Sequence, residues 1–208
     1  MHAGALGYVY LIGTLILFTT GWETVIARGV RPRRVLQFCA LAIPFSLSHF
    51  PFTGLTVRGT AFILLLFVTY DVFRLKRGTD RAAVVCAGVF LAAAGHLTGE
   101  WAQATPSMIL TTPEIDYALI LAAVLGLCLR DPHYQLPVMT LALLLLDLIN
   151  IVELPAYAER EWAGRVFWDE WWLTLWAARL VSVLCILHIG VWRIMQGKWR
   201  ILQGRRER

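Results

Sequence analysis

The chain has 208 residues, of which 58% are hydrophobic and only 16% are charged. This composition is more apolar than that of a soluble domain and predicts a membrane protein. Although the net charge is +5, a nucleic-acid partner is not expected, because the basic residues flank apolar segments. Anionic lipids of the inner leaflet are the expected partner of those residues.

Seven apolar segments approach the length of about 20 residues that a helix needs to cross a bilayer. In chain order they are residues 5–27, 35–53, 59–73, 82–103, 115–129, 136–154 and 171–192. The third and fifth are short, so their ends are the least well defined. The pattern predicts an all-α fold, in which residues 1–192 form a seven-span transmembrane helix bundle.

Lys and Arg clusters lie on alternate sides of these segments. They are Arg28, Arg31, Arg33 and Arg34; Arg74, Lys76, Arg77 and Arg81; the single Arg130; and Arg193, Lys198, Arg200, Arg205, Arg206 and Arg208. Short loops rich in Lys and Arg stay cytoplasmic. We therefore expect the N-terminus outside, the C-terminus in the cytoplasm, and a multi-pass protein in a bacterial inner membrane.

Residues 193–208 form a basic cytoplasmic tail. Met195, Trp199 and Leu202 recur in it at helical spacing among basic residues, which is typical of an amphipathic helix lying on anionic inner-leaflet lipids. A helix end with solvated arginines would give the same pattern. Another membrane protein is a further possible partner.

Polar residues within the apolar segments need an explanation, because each charge there costs about 2.5–3.5 kcal/mol on insertion scales. Seven of them map to the outer half of the predicted bundle: His49, His96, Glu100, Asp147, Asn150, Glu153 and Arg179. They predict an outward-facing polar cavity for a ligand or an ion. Two histidines with carboxylates could also bind zinc, but the spacing matches no metal motif, so the metal and any cofactor stay open.

Asp147 and Arg179 are predicted to lie at similar depth on the sixth and seventh spans. The expectation is an intramembrane ion pair with Asn150 beside it. That pair would act either as a register lock between two helices or as a site that handles protons or anions. Nearer the cytoplasm, Asp71 is expected to pair with Arg74.

Two local patterns concern the outer ends of spans. Pro44 and Pro51 remove backbone donors from the second span, which predicts that its outer half is kinked or broken. At the start of the seventh span, Trp168, Trp171 and Trp172 favour an aromatic belt at the membrane interface over a platform for a ligand.

The polar second span ends in Ser48-His49-Phe50-Pro51-Phe52, and the short third span ends in Arg74-Leu75-Lys76-Arg77. This layout resembles small polytopic membrane proteins of the YphA type from spore-forming bacteria, over about the first two-thirds of the chain. The resemblance implies an integral protein of the bacterial membrane. It implies no catalytic residue, because such proteins have no settled activity.

No enzyme motif stands out along the chain. There is no P-loop, nucleophile elbow or Cys-x-x-Cys pair, and the seventh span has no Lys for a retinal Schiff base. The first hypothesis is therefore a non-enzymatic accessory or scaffold protein for other membrane components. One alternative is a small transporter or ligand-binding protein that uses the outer cavity. The other is a membrane metalloenzyme that uses His49, His96 and Glu100.

Overall fold

The computed structural model describes residues 4–21, 32–52, 55–105, 113–129, 131–153 and 161–206. These residues are almost entirely helical, which confirms the all-α expectation. The helices are α1 Ala5–Thr19, α2 Pro32–Ser46, α3 Gly59–Arg74, α4 Gly78–Ala104, α5 Pro113–Cys128, α6 Pro132–Glu153 and α7 Arg165–Arg206. Three short strands accompany them: β1 His49–Phe52, β2 Leu55–Arg58 and β3 Glu161–Trp162.

Three described helices are long and apolar enough to cross a membrane. The qualifying stretches are Gly78–Trp101 in α4, His133–Glu153 in α6 and Arg165–Gly190 in α7. Two shorter apolar stretches are Ala5–Thr19 and Ile115–Cys128. The length and composition of these helices thus mark a chain suited to a bilayer.

The helices agree with the predicted spans best at α3, which covers Gly59–Arg74 where residues 59–73 were predicted. Helix α1 ends at Thr19, and residues 22–27 of the first predicted span lie outside the described residues. The same holds for residue 53 at the end of the second predicted span and residue 154 at the end of the sixth. Helix α7 begins at Arg165, six residues before the predicted span, and runs without a break to Arg206. The predicted tail, as far as Arg206, therefore continues helix α7.

The helix predicted for residues 35–53 ends earlier than expected. Helix α2 stops at Ser46, just after Pro44, and the chain then turns into an antiparallel hairpin of β1 and β2. Pro51 is tolerated because β1 is an edge strand. The predicted interruption of this helix is confirmed. The prediction that the helix extends to residue 53 was wrong, because an apolar edge strand and an apolar helix end have similar hydropathy.

Strand β3 completes the sheet by pairing parallel to β2. The residue after β3, Ala163, forms hydrogen bonds to side chains of α6 and α3. The Ala163 N–H donates to Asp147 Oδ2 at 2.8 Å, and Thr60 Oγ1 donates to the Ala163 carbonyl at 2.9 Å. We call this end of the bundle, marked by the three strands, the sheet end. The start of α1 lies there too, because Asp169 accepts the backbone N–H groups of Gly4 and Gly7.

The opposite end carries basic residues from separate helices. Arg34 near the start of α2 lies 3.1 Å from Asp71 near the end of α3. Arg81 donates to the carbonyls of Phe73 and Leu75, both at 2.9 Å, and so closes the turn between α3 and α4. We call this end, marked by Arg34, Asp71 and Arg81, the basic end.

An aromatic cluster fills the centre between α2 and α7. Trp168, Trp171 and Trp172 are each at most 3% exposed, and their ring centroids lie 5.5–6.4 Å from that of Phe38. Trp168 and Trp171 stack at 5.7 Å. The aromatic belt predicted for these tryptophans was therefore wrong: they pack inward, as part of the core.

Candidate functional site

The predicted pair of Asp147 and Arg179 does not form. Asp147 accepts the Ala163 N–H, whereas Arg179 Nη1 donates to Gln135 Oε1 at 3.1 Å. Gln135 and Asp147 are 12 residues apart on α6, which corresponds to about 18 Å along the helix axis. The prediction failed because the chain reverses at Ala163, at the depth of Asp147, so Arg179 lies far down α7 towards the basic end.

His49 joins a polar group at the sheet end. Its Nδ1 lies 3.2 Å from Glu161 Oε1, and the buried Arg58 donates from Nε to the same oxygen. Arg58 also donates to the Ser46 carbonyl at 3.1 Å. A cavity of about 330 Å³ adjoins this group and is lined in part by Tyr8, Ser46, His49 and Arg58.

Three of the predicted residues do come together, on α4 and α6. His96 Nε2 lies 3.3 Å from Glu153 Oε2, and one ligand atom from each of His96, Glu100 and Glu153 lies within 4.8 Å of the others. Asn150, one turn before Glu153, is exposed. Within the described part of the chain, this is the one group of three or more His, Cys, Asp or Glu that could hold a metal ion.

A cavity of about 820 Å³ lies elsewhere, between α2, α3, α6 and α7, and is also lined by Thr14 and Phe18 of α1. Its walls are mainly apolar and aromatic. They include Phe18, Phe38, Leu64, Phe67, Val68, Trp171, Trp172, Leu175 and Trp176. The cavity is therefore a hydrocarbon-like space within the bundle, of a size typical for ligand sites.

Charged and polar side chains line the same cavity near the basic end. They are Arg34, Asp71, His133, Gln135 and Arg179. Arg34 pairs with Asp71 and stacks over the Tyr70 ring at 4.6 Å. Asp71 thus pairs across two helices with Arg34, and not with Arg74 as the sequence suggested. The cavity is amphipathic, with its charges gathered at one end.

Gln135 organises this polar end. Its side chain is completely buried; it accepts from Arg179 and donates to Ser182 Oγ at 3.1 Å and to the Ala178 carbonyl at 3.4 Å. A buried amide that satisfies both its donor and its acceptor sides fixes the orientation of its neighbours. Gln135 therefore holds the Arg179 guanidinium at the cavity.

The aromatic wall adds two unusual donors. Trp171 Nε1 donates to Thr140 Oγ1 at 3.0 Å, but the buried indole N–H groups of Trp172 and Trp176 have no hydrogen-bond partner among the described residues. Buried donors are normally satisfied. Both tryptophans line the cavity, so a polar atom of a bound molecule is one way to satisfy them.

The sequence pattern predicted Arg179 in the outer half of the bundle, whereas it lies beside Gln135 towards the basic end. Most of the residues that line this cavity were not predicted. The available signals were Gln135, an amide at the start of an apolar segment, and Asp71, an acid within another. Neither residue alone indicates a cavity, because the rotation of each helix is not encoded in hydropathy. Comparison with models of protein families, with curated proteins and with solved structures gives no match for the chain.

Proposed function

We propose that the protein binds a lipid-like amphipathic molecule, with an anionic head group and a hydrocarbon chain, in the cavity between α2, α3, α6 and α7. The observation that supports this proposal is the separation of apolar from charged side chains along the cavity wall. Aromatic and aliphatic side chains line most of it, and the charged side chains lie together at the basic end. An amphipathic ligand has the same separation.

The charges favour an anionic head group over a cationic one. Arg34 and Arg179 line the polar end, against the single carboxylate of Asp71 among the lining residues. Basic pockets between membrane helices bind anionic lipid head groups in this way. The indole N–H groups of Trp172 and Trp176 can donate to an ester or hydroxyl oxygen further inside. The hydrocarbon chain then lies against Phe38, Leu64 and their neighbours.

The same geometry suggests how the protein lies in the membrane. We propose that all seven helices cross the bacterial inner membrane, with the basic end in the cytoplasm, since loops rich in Lys and Arg stay there. The large cavity then belongs to the inner half of the bilayer, whereas the sequence had suggested an outward-facing one. Beyond Gly190, α7 continues for 16 residues, or about 24 Å, along or below the inner leaflet.

Four helices of this bundle are only 15 or 16 residues long, so the topology is best tested directly. In a chain without its native cysteines, Thr105→Cys probes the sheet end and Lys76→Cys the basic end; both positions are exposed. We expect a membrane-impermeant maleimide to label Thr105→Cys in intact spheroplasts and Lys76→Cys only after lysis. Labelling of both positions before lysis, or the reverse pattern, would contradict the proposed topology.

Ligand binding is tested by measuring the lipid that stays with the purified protein. Ala40 is exposed on α2 and lines the cavity, so Ala40→Trp places an indole in the binding space. Ala93 is exposed on α4, away from the cavity, and Ala93→Trp is the matched control. After extensive washing in detergent, wild type and Ala93→Trp should retain the same anionic lipid, whereas Ala40→Trp should retain about tenfold less, equivalent to 1.4 kcal/mol. Equal lipid content in all three proteins would refute the proposal.

A non-enzymatic accessory protein, the first hypothesis from the sequence, suits this chemistry. Such a protein would hold or present a lipid to other membrane components, with the basic tail against the anionic inner leaflet. A small lipid carrier is the alternative. Release of the bound lipid to acceptor vesicles within minutes would favour the carrier, and retention would favour the accessory role.

A further inference from the structure

A second site lies at the other end of the bundle, between the last turns of α4 and α6. His96 and Glu100 are four residues apart on α4, so their side chains project from the same face. Glu153 is the last residue of α6 and brings a carboxylate oxygen to 3.3 Å from His96 Nε2. Two helices thus present one nitrogen and two carboxylate groups to a single point.

The spacing of these atoms suits a small metal ion. Zinc binds His nitrogen and carboxylate oxygen at about 2.0–2.2 Å in tetrahedral geometry, so neighbouring ligand atoms lie about 3.3–3.6 Å apart. The His96–Glu153 separation already has this value, and the remaining separations are at most 4.8 Å. The difference, about 1.5 Å, is within reach of side-chain rotation because Glu100 and Glu153 are exposed.

Helix packing keeps this arrangement in place. Gly88 allows α4 to approach α6 closely, since a Cβ atom at this position would lie 2.7 Å from Leu141 Cδ2. Nearer the site, Gly95 packs against the Tyr117 ring of α5. The backbone positions of His96 and Glu153 are therefore set by contacts that a metal ion does not have to create.

The charge of the group also favours a cation. Two carboxylates face one imidazole, and among the described residues neither carboxylate pairs with a lysine or an arginine. Two carboxylates held within 4.8 Å of each other repel, and a cation bound between them removes this repulsion. The imidazole nitrogen favours zinc or a similar transition metal over magnesium or calcium, which prefer oxygen ligands only.

We infer that His96, Glu100 and Glu153 form a binding site for a divalent transition metal ion, with zinc as the best match. Three protein ligands leave the fourth tetrahedral position to water or to another ligand. The ion would join α4 to α6 at the sheet end. This inference is independent of the lipid proposal, whose cavity lies at the basic end and shares none of the three residues.

The test is a titration of the EDTA-treated, full-length protein in detergent with Co²⁺, followed by competition with Zn²⁺. A tetrahedral site gives Co²⁺ a visible absorption spectrum that an ion pair or a proton-binding cluster cannot produce. We expect one Co²⁺ per chain, displaced by Zn²⁺, and at least about tenfold weaker binding in His96→Ala and Glu153→Gln, since even outer-shell partners of metal sites are worth this much. Zinc should also raise the Tm of the wild type but not that of the variants.

Two controls keep the result interpretable. His49→Ala removes a histidine that contacts Glu161 instead and should leave the Co²⁺ spectrum unchanged. Glu100→Gln alters an exposed side chain, so it should fold normally and weaken Co²⁺ binding. It therefore provides the test in place of His96→Ala if that variant does not fold. Absence of the spectrum in folded wild-type protein, or an equal spectrum in His96→Ala or Glu100→Gln, would overturn the inference and leave the lipid proposal untouched.

Discussion

Glu161→Gln is expected to lower the free energy of unfolding by about 3 kcal/mol, because it leaves the buried Arg58 charge without its partner. Arg58 is 6% exposed and donates to the Glu161 carboxylate and the Ser46 carbonyl. These contacts join β2 to β3 and to the end of α2. Reversible unfolding in mixed detergent micelles measures the change.

A second substitution distinguishes the cost of an unpaired buried charge from the cost of losing the contacts between Arg58 and Glu161. In the double variant Arg58→Met/Glu161→Gln, no charge is left unpaired, so most of the lost stability should return. Arg33→Met, at an exposed position of α2, should change stability by less than about 0.5 kcal/mol. A double variant less stable than Glu161→Gln alone would show that Arg58 contributes mainly through its packing.

Gly126→Leu is expected to destabilise the bundle by about 3 kcal/mol, at the upper end of typical overpacking effects. Gly126 is where α5 crosses α7: a Cβ atom there would lie 2.6 Å from Val181 Cβ and 2.8 Å from the Ala178 carbonyl oxygen. Since the carbonyl belongs to the backbone, the helices themselves must separate. Small residues at such crossings are common in membrane proteins for this reason.

The control for Gly126→Leu is Gly13→Leu, since no atom lies within 4 Å of a Cβ atom built at Gly13. Its stability should be no lower than that of the wild type, because leucine has a higher helix propensity than glycine. The same unfolding assay reports both variants, and the yield of folded protein should fall only for Gly126→Leu. If the two substitutions had equal effects, the α5–α7 crossing would be looser than the structure indicates.

The sequence predicted well those features that depend on composition along one helix. The apolar stretches of α4 and α6 were found within four residues of their true bounds, and the i, i+4 spacing put His96 and Glu100 on one face. Glu153 was correctly placed at the same end. Each of these inferences needs only the helical repeat and the length of a span.

Features that depend on how helices meet could not be predicted in the same way. Arg179 was assigned to the outer half because the start of α7 was set at Trp171, whereas the helix begins at Arg165. That error of six residues, or about 9 Å, was enough to suggest the wrong partner. The inward packing of Trp171 and Trp172 depends on the rotation of α7, which a tryptophan-rich pattern does not reveal.

The most direct test of the lipid-binding proposal is photo-crosslinking in living cells, followed by mass spectrometry of the adduct. A benzophenone amino acid at Leu66 probes the cavity, and one at Leu119 probes an exposed position on α5 outside it; both native side chains are exposed. The proposal predicts one dominant anionic amphipathic adduct at position 66, and at position 119 a mixture that follows the bulk membrane lipids. The same bulk mixture at both positions would contradict a specific lipid site.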